Sequence, residues 1–193
     1  MKRAFGFFLI LLLGAGLVAR LVLFEWLTVR GEDMLPTLTS GQSYLVYKRA
    51  RDPARGDLIL FVTPGDGPIT VRRVIGLPGD KIELRNQTVI VNGKPVQDEK
   101  TGQVQMDAEG PLTRTLDRYR ETLADKTYSI ARDPQRHSKD QNVFVVPPGS
   151  YYVYADNRNH GRDSREYGPV PAANLRGTLV RHVRSLISYD PID

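Results

Sequence analysis

Behind Met1-Lys2-Arg3 the chain is apolar without interruption from Ala4 to Ala19. After Arg20 a second stretch, Leu21 to Val29, continues the run with Glu25 as its only charge. The first run falls short of the roughly 20 residues that a helix needs to cross a bilayer, and the second supplies the missing length. Arg20 and Glu25 would lie near the far end, where long side chains reach the headgroups. Lys2 and Arg3 place the N-terminus on the cytoplasmic side by the positive-inside rule. The pattern predicts a cytoplasmic tip and one transmembrane signal-anchor helix over residues 1–29, with residues 30–193 outside. A cleaved secretory signal also sets charge before an apolar run. Leu17-Val18-Ala19 is a poor small-residue cleavage site, however, and favours the uncleaved anchor.

Beyond the anchor the pattern becomes short and strand-like. Ser43 to Lys48 and Leu58 to Val62 are apolar-rich runs separated by Asp52-Pro53-Ala54-Arg55-Gly56-Asp57. Ile69 to Ile75 ends at Gly76-Leu77-Pro78-Gly79-Asp80, whose glycines and proline suit a tight turn. Lys81 to Leu84 and Thr88 to Val91 flank Arg85-Asn86-Gln87, and Asn92-Gly93 follows as a hairpin signal. Val143 to Val146 and Tyr151 to Tyr154 bracket Pro147-Pro148-Gly149, and Leu175 to Val183 reads as a late strand. Residues 98–142 differ: they are polar, charged and poor in alternation, with a thin helical stripe over Arg114 to Lys126. They read as a polar insertion, not a second domain. Many short strands with Gly/Pro turns predict a mainly β domain, a barrel or sandwich, behind one transmembrane helix.

The chain has 193 residues, no cysteine and a formal charge of +5. The length suits an anchor plus one soluble domain. The missing cysteines exclude disulfides, thiolate catalysis and cysteine-ligated metal. The basic balance fits an anionic membrane surface better than nucleic acid, because an apolar segment precedes it and no nucleic-acid motif accompanies it. The sequence holds no metal-ligand cluster or phosphate-binding loop, so no cofactor is expected.

Candidate chemistry lies in three blocks. The first is Asp33-Met34-Leu35-Pro36-Thr37-Leu38, followed by Ser40-Gly41. The second runs Val71-Arg72-Arg73-Val74-Ile75-Gly76-Leu77-Pro78-Gly79-Asp80. The third runs from Asp156-Asn157-Arg158-Asn159-His160-Gly161-Arg162 through Asp163-Ser164-Arg165 to Pro171. The first two are weak signals taken singly and the third is strong. In this order behind an N-terminal anchor, the chain resembles the type I signal peptidases, also called leader peptidases, over about residues 30–95 and 143–190. The resemblance implies a bacterial cytoplasmic (inner) membrane protein crossing once, with its N-terminus inside and its β domain outside. It also implies the family reaction, serine-endopeptidase cleavage of N-terminal signal peptides from exported preproteins. The partners so implied are the lipid bilayer, preproteins or signal peptides, and secretion or surface-assembly components, with no nucleic acid.

The same resemblance exposes departures. The family's nucleophilic serine falls at Asp33 and its lysine base at Arg72, with Arg73 matching the arginine that follows. A serine that bonds the lysine falls at Gly161, and a hydroxyl residue that helps hold the oxyanion in some members falls at Gly31. Met34, Pro36, Asp163 and Arg165 are kept, the last two being an ion pair that braces the family's site. A hydroxyl is a weak nucleophile until a neighbouring base takes its proton. An arginine keeps its proton and cannot be that base, while a carboxylate is a poor nucleophile towards an amide. Asp33 and Arg72 are therefore expected to pair with each other, and the chain to bind precursor or assembly-partner peptides without cleaving them. The alternative is an active peptidase with atypical residues. Ser40 or Ser43 as a displaced nucleophile and His160 as a substitute base carry less weight, because the two serines fall outside the Met-Leu-Pro-Thr-Leu turn and a lone loop histidine is more often solvated.

Overall fold

The computed structural model describes residues 14, 22–49, 52–107, 113–183 and 189–190. The expected anchor thus lies mostly outside the described residues, among which no helix is long and apolar enough to cross a membrane. Its C-terminal end needs a correction. Residues 24–28, assigned above to the apolar run, form a strand that pairs in register with residues 43–47, Trp26 opposite Leu45 and Leu27 opposite Tyr44. An apolar strand entering a sheet directly behind an apolar segment leaves no break in the sequence pattern.

The strands in chain order are β1 (Phe24–Thr28), β2 (Ser43–Tyr47), β3 (Leu58–Val62), β4 (Ile69–Gly76), β5 (Lys81–Arg85), β6 (Thr88–Val91), β7 (Lys94–Pro95) and β8 (Gln97–Asp107). They continue as β9 (Thr113–Leu123), β10 (Lys126–Arg132), β11 (Gln141–Val145), β12 (Ser150–Tyr154), β13 (Val170–Pro171), β14 (Leu175–Val183) and β15 (Tyr189–Asp190), and a short helix, α1 (Ser164–Tyr167), precedes β13. The fold is mainly β. An eight-stranded sheet runs β1-β2-β14-β3-β4-β12-β13 with β15 beside β14, a second sheet runs β10-β9-β8 and a third β11-β5-β6-β7.

β3 shows why its sequence is a continuous apolar run. Leu58 and Leu60 face a core with Met34, Leu38, Val46 and Val71, while Ile59 and Phe61 face another with Val74, Tyr151 and Val153. A strand buried on both faces needs no polar alternation. At Asn92-Gly93 both residues have positive φ, 53° and 77°, as the tight turn between β6 and β7 requires.

The 98–142 segment is also corrected. It is regular structure: β8 and β9 form a long antiparallel hairpin, and β10 completes the sheet. The thin helical stripe over Arg114 to Lys126 is strand β9. From Asp117 onward, alternate residues Asp117, Tyr119, Glu121 and Leu123 turn inward, so the period of two is present. Two of those positions are charged, and their partners conceal the pattern. Glu121, 1% exposed, accepts from Tyr128 Oη at 2.6 Å and from Arg158 Nη2 at 2.6 Å. Asp117 pairs with Lys100 at 2.7 Å. A buried carboxylate with its cation beside it reads in sequence as a surface position.

Candidate active site

Asp33 sits in the loop that leaves β1. Apolar neighbours fix that loop from both sides: Met34 and Leu38 enter the core under β2 and β3, while Leu35 packs with Met106, Leu116 and Ala131 of the β8-β10 sheet. Asn157 ties it from behind, its backbone N–H donating to the Asp33 carbonyl at 3.0 Å and its Nδ2 to the Glu32 carbonyl at 3.1 Å. Leu35-Pro36 is a cis peptide bond.

Arg72 and Arg73 are adjacent on β4, so they point to opposite faces. The structure brings Arg72 and Asp33 together as an ion pair between Nη2 and Oδ2. Arg72 also donates from Nε to the Arg162 carbonyl at 2.5 Å, and from Nη1 to the Val71 carbonyl at 2.6 Å and to Thr70 Oγ1 at 2.8 Å. Its side chain is only 5% exposed, against 46% for Asp33. Arg73 turns inward, donating to both oxygens of Asp156 at 2.8 and 2.7 Å and to the Gly56 carbonyl at 2.7 Å, with its guanidinium 3.8 Å from the centre of the Tyr128 ring.

Asp163 is fully buried and caps α1. Its Oδ1 accepts from Arg165 Nε at 2.8 Å, and its Oδ2 from Arg165 Nη2 at 2.6 Å and from the Ala155 N–H at 2.9 Å. Burial alone would lower the Arg165 pKa, but the bidentate carboxylate outweighs it and the pKa is raised. Asp163 is therefore committed and offers no second carboxylate to Asp33. His160 is engaged elsewhere, its Nε2 lying 2.8 Å from Asp133 Oδ2. Burial would raise the Asp133 carboxyl, yet the Gln135 N–H and His160 hold it below the ordinary range.

The two glycines differ in what they would tolerate. Gly31 has φ of 80° with open space where a Cβ would lie, so a side chain there meets backbone strain, not a clash. Gly161 is confined: a Cβ would meet the Ala155 Cβ at 2.2 Å and the Asp33 carbonyl at 3.0 Å. Sequence reasoning missed Ala155, because its role is the space it fills. It also missed Thr70, whose signal was available two residues before Arg72 on the same strand face. Tyr167 was missed as well. Its hydroxyl is buried without a hydrogen-bond partner among the described residues, and burial pushes its pKa up while the nearby Arg72 guanidinium opposes that rise.

A cleft of about 180 Å³ opens at Asp33. One wall is the end of β1 and the residues after it, Leu27 to Gly31. The other is Ile69 to Arg72 of β4, over an apolar floor of Met34, Leu38 and Leu60. β12 pairs with β4 only at Arg73, Val74 and Gly76, whereas β3 pairs with Ile69 to Arg73, so residues 69–72 keep one edge outside the sheet's pairing. Among the described residues no group of three or more His, Asp or Glu side chains is placed to hold a metal ion.

The sequence matches the family described as signal peptidase, peptidase S26, over residues 2–183. It is 30% identical over 166 residues to a signal peptidase I of Bacillus licheniformis, covering 84% of this chain and 77% of that protein. A signal peptidase I of Rickettsia typhi is 36% identical over 140 residues, covering 66% of this chain and 51% of the relative, so this chain spans about half of that protein's length. A crystal structure of a signal peptidase I from Enterococcus faecalis V583 is similar with 25% identity and a TM-score of 0.40, over 67% of this chain and 97% of that one. The family match runs through all three motif blocks and both partners of the Asp33–Arg72 pair, and the chain belongs to the signal peptidase family, peptidase S26.

Proposed function

We propose that this chain is a membrane-anchored family member that holds an extended segment of an exported preprotein, or of a secretion or surface-assembly component, without hydrolysing it. One observation carries the loss of hydrolysis, the Asp33–Arg72 ion pair, in which the guanidinium is fixed by further bonds to Arg162, Val71 and Thr70. Attack by the Asp33 carboxylate on an amide would form an anhydride and expel an amine, and that amine needs a proton to leave. Arg72 keeps its protons at physiological pH and supplies none. The cleft itself needs neither Ser nor Lys to take a peptide. Strand addition uses backbone groups, and the free edge of residues 69–72 over an apolar floor supports it.

Full-length protein in detergent, incubated with a preprotein, is expected to leave it uncleaved, as is a variant combining Asp33→Asn with Arg72→Met, which removes the pair without stranding the buried guanidinium. Cleavage by the unmodified protein that this double variant, still folded, abolishes would establish the alternative, an active peptidase with atypical residues. A photocrosslinker at Ile69 should capture a signal-peptide segment, and absence of any specific adduct would sink the peptide-binding half of the proposal.

A single-pass location in the bacterial cytoplasmic membrane, N-terminus inside, is proposed on the N-terminal apolar run and on what borders it. Trp26 and Val22 are 47% and 49% exposed. Such side chains suit a face resting at the lipid interface. Trp26 is the only tryptophan of the chain and serves as its own reporter. In vesicles, lipids brominated near the headgroup should quench its fluorescence; emission indifferent to bromination would place this face in water.

A further inference from the structure

Resting on the peptide-cleft reading above, we infer that the cleft prefers an occupant that brings a positively charged nitrogen to Asp33. Three charged residues line it: Arg30, Asp33 and Arg72. Arg72 presents almost nothing to an occupant, being 5% exposed with donors committed to Asp33, the Arg162 and Val71 carbonyls and Thr70. Arg30 is exposed to solvent, where its charge is screened. Above the apolar floor the charge an occupant meets at close range is the Asp33 carboxylate, half-exposed, with Oδ2 on Arg72.

A carboxylate accepts and never donates. A peptide carbonyl or a terminal carboxylate placed against Asp33 would set acceptor against acceptor. A neutral small side chain would leave the carboxylate partly desolvated without a donor, which is unfavourable. A neutral donor such as a peptide N–H removes both penalties, and a charged N–H donor does so with the stronger, charge-assisted hydrogen bond. Two sources share that chemistry: the free α-amino group at the start of an extended segment, and the head of a lysine or arginine side chain within one. Because Arg72 already balances the charge of Asp33, selectivity comes from direct contact and not from a long-range field. The preference is therefore modest, about tenfold for one charge-assisted bond at a half-exposed site.

The test is binding of labelled peptides to the full-length protein in detergent. One peptide is short, apolar and N-acetylated; a second is the same with a free amino terminus. A third is acetylated with one internal lysine, and a fourth carries norleucine in place of that lysine. The free-amine peptide, the lysine peptide or both should bind about tenfold tighter than the two neutral ones, and the difference should shrink as salt is raised. Whichever cationic peptide gains identifies the source. Asp33→Asn alone would strand the buried Arg72 charge, so the protein control is Asp33→Asn with Arg72→Met, which should bind all four peptides alike. Equal binding of all four by the unmodified protein overturns the charge preference and leaves the peptide cleft standing. Binding of none overturns the peptide cleft and the preference with it. A preference that survives in the double variant places the cation away from Asp33 and overturns the assignment.

Discussion

Asp156→Ala is expected to lower stability by about 3–5 kcal/mol, the range for stranding one member of a buried ion pair. For a domain of this size that amounts to a fall of about 6–20 °C in the thermal midpoint. Asp156 has 0% exposure and Arg73 3%. The carboxylate takes two bonds from Arg73, at 2.8 and 2.7 Å, and lies 2.5 Å from Thr37 Oγ1. Burial alone would lower the Arg73 pKa, and Asp156 more than reverses this. Without the carboxylate the guanidinium cannot shed its proton as a buried lysine could. It stays charged over the Tyr128 ring, beside the Gly56 carbonyl and Thr37. The effect also reaches the loop of Asp33, because Thr37 is in that loop and would lose one of its partners, keeping the Ser129 carbonyl. Arg162→Ala is the contrast: its pair with Glu166 joins side chains 75% and 54% exposed, and its removal should leave the midpoint unchanged. Thermal unfolding of both variants in one detergent checks this. A midpoint for Asp156→Ala matching the parent would mean that the buried pair is not what holds the two halves of the site.

Much of this architecture was legible before any coordinates. β3 declares itself because both its faces are buried, and the β6–β7 turn because Asn92-Gly93 suits positive φ. Asp33, Arg72, Asp163 and Arg165 could be named together because the three blocks resemble the family's motifs; in the structure the blocks meet, Arg72 on the Arg162 carbonyl and the Asp33 carbonyl on Asn157. The failures share a cause, since polar and apolar character stop reporting position when charges are buried in pairs. Glu121 and Asp117 made β9 look like a solvated helix, and β1 vanished into the apolar run before it. Within the site, the missing information was spatial. Nothing in the sequence shows that the Arg162 carbonyl receives Arg72 Nε, that Met106 reaches Asn157 at 3.2 Å, or that the Ala155 methyl fills the space beside Gly161.

That last contact sets the largest expected functional effect. Asp33→Ser, Arg72→Lys and Gly161→Ser together would supply the family's nucleophile, base and supporting hydroxyl, yet the triple variant is expected not to cleave. A Cβ at residue 161 would lie 2.2 Å from the Ala155 Cβ and 3.2 Å from the Asn157 carbonyl, well inside contact distance. Neither side yields easily. Ala155 is completely buried, with its N–H held by Asp163 at 2.9 Å, and Gly161 is in a tight turn with its N–H on the Asn157 carbonyl at 2.9 Å. Displacing the turn moves Asn157, and Asn157 positions the Asp33 carbonyl. Overpacking of this kind costs about 1–3 kcal/mol. Adding Ala155→Gly removes the opposing methyl, so the quadruple variant is the one expected to cleave a preprotein. The steric premise is separable from the chemistry. Gly161→Ala should destabilise the protein, and Ala155→Gly should recover most of that loss when combined with it, giving a coupling of about 1 kcal/mol or more in a double-mutant cycle. Strict additivity would show that residues 155 and 161 do not compete for the same space, and cleavage by the triple variant would show that the backbone opens to admit the hydroxyl after all. With coupling present, the missing side chain at 161 and the methyl at 155 fit one another, and adding a side chain at the first requires removing the one at the second.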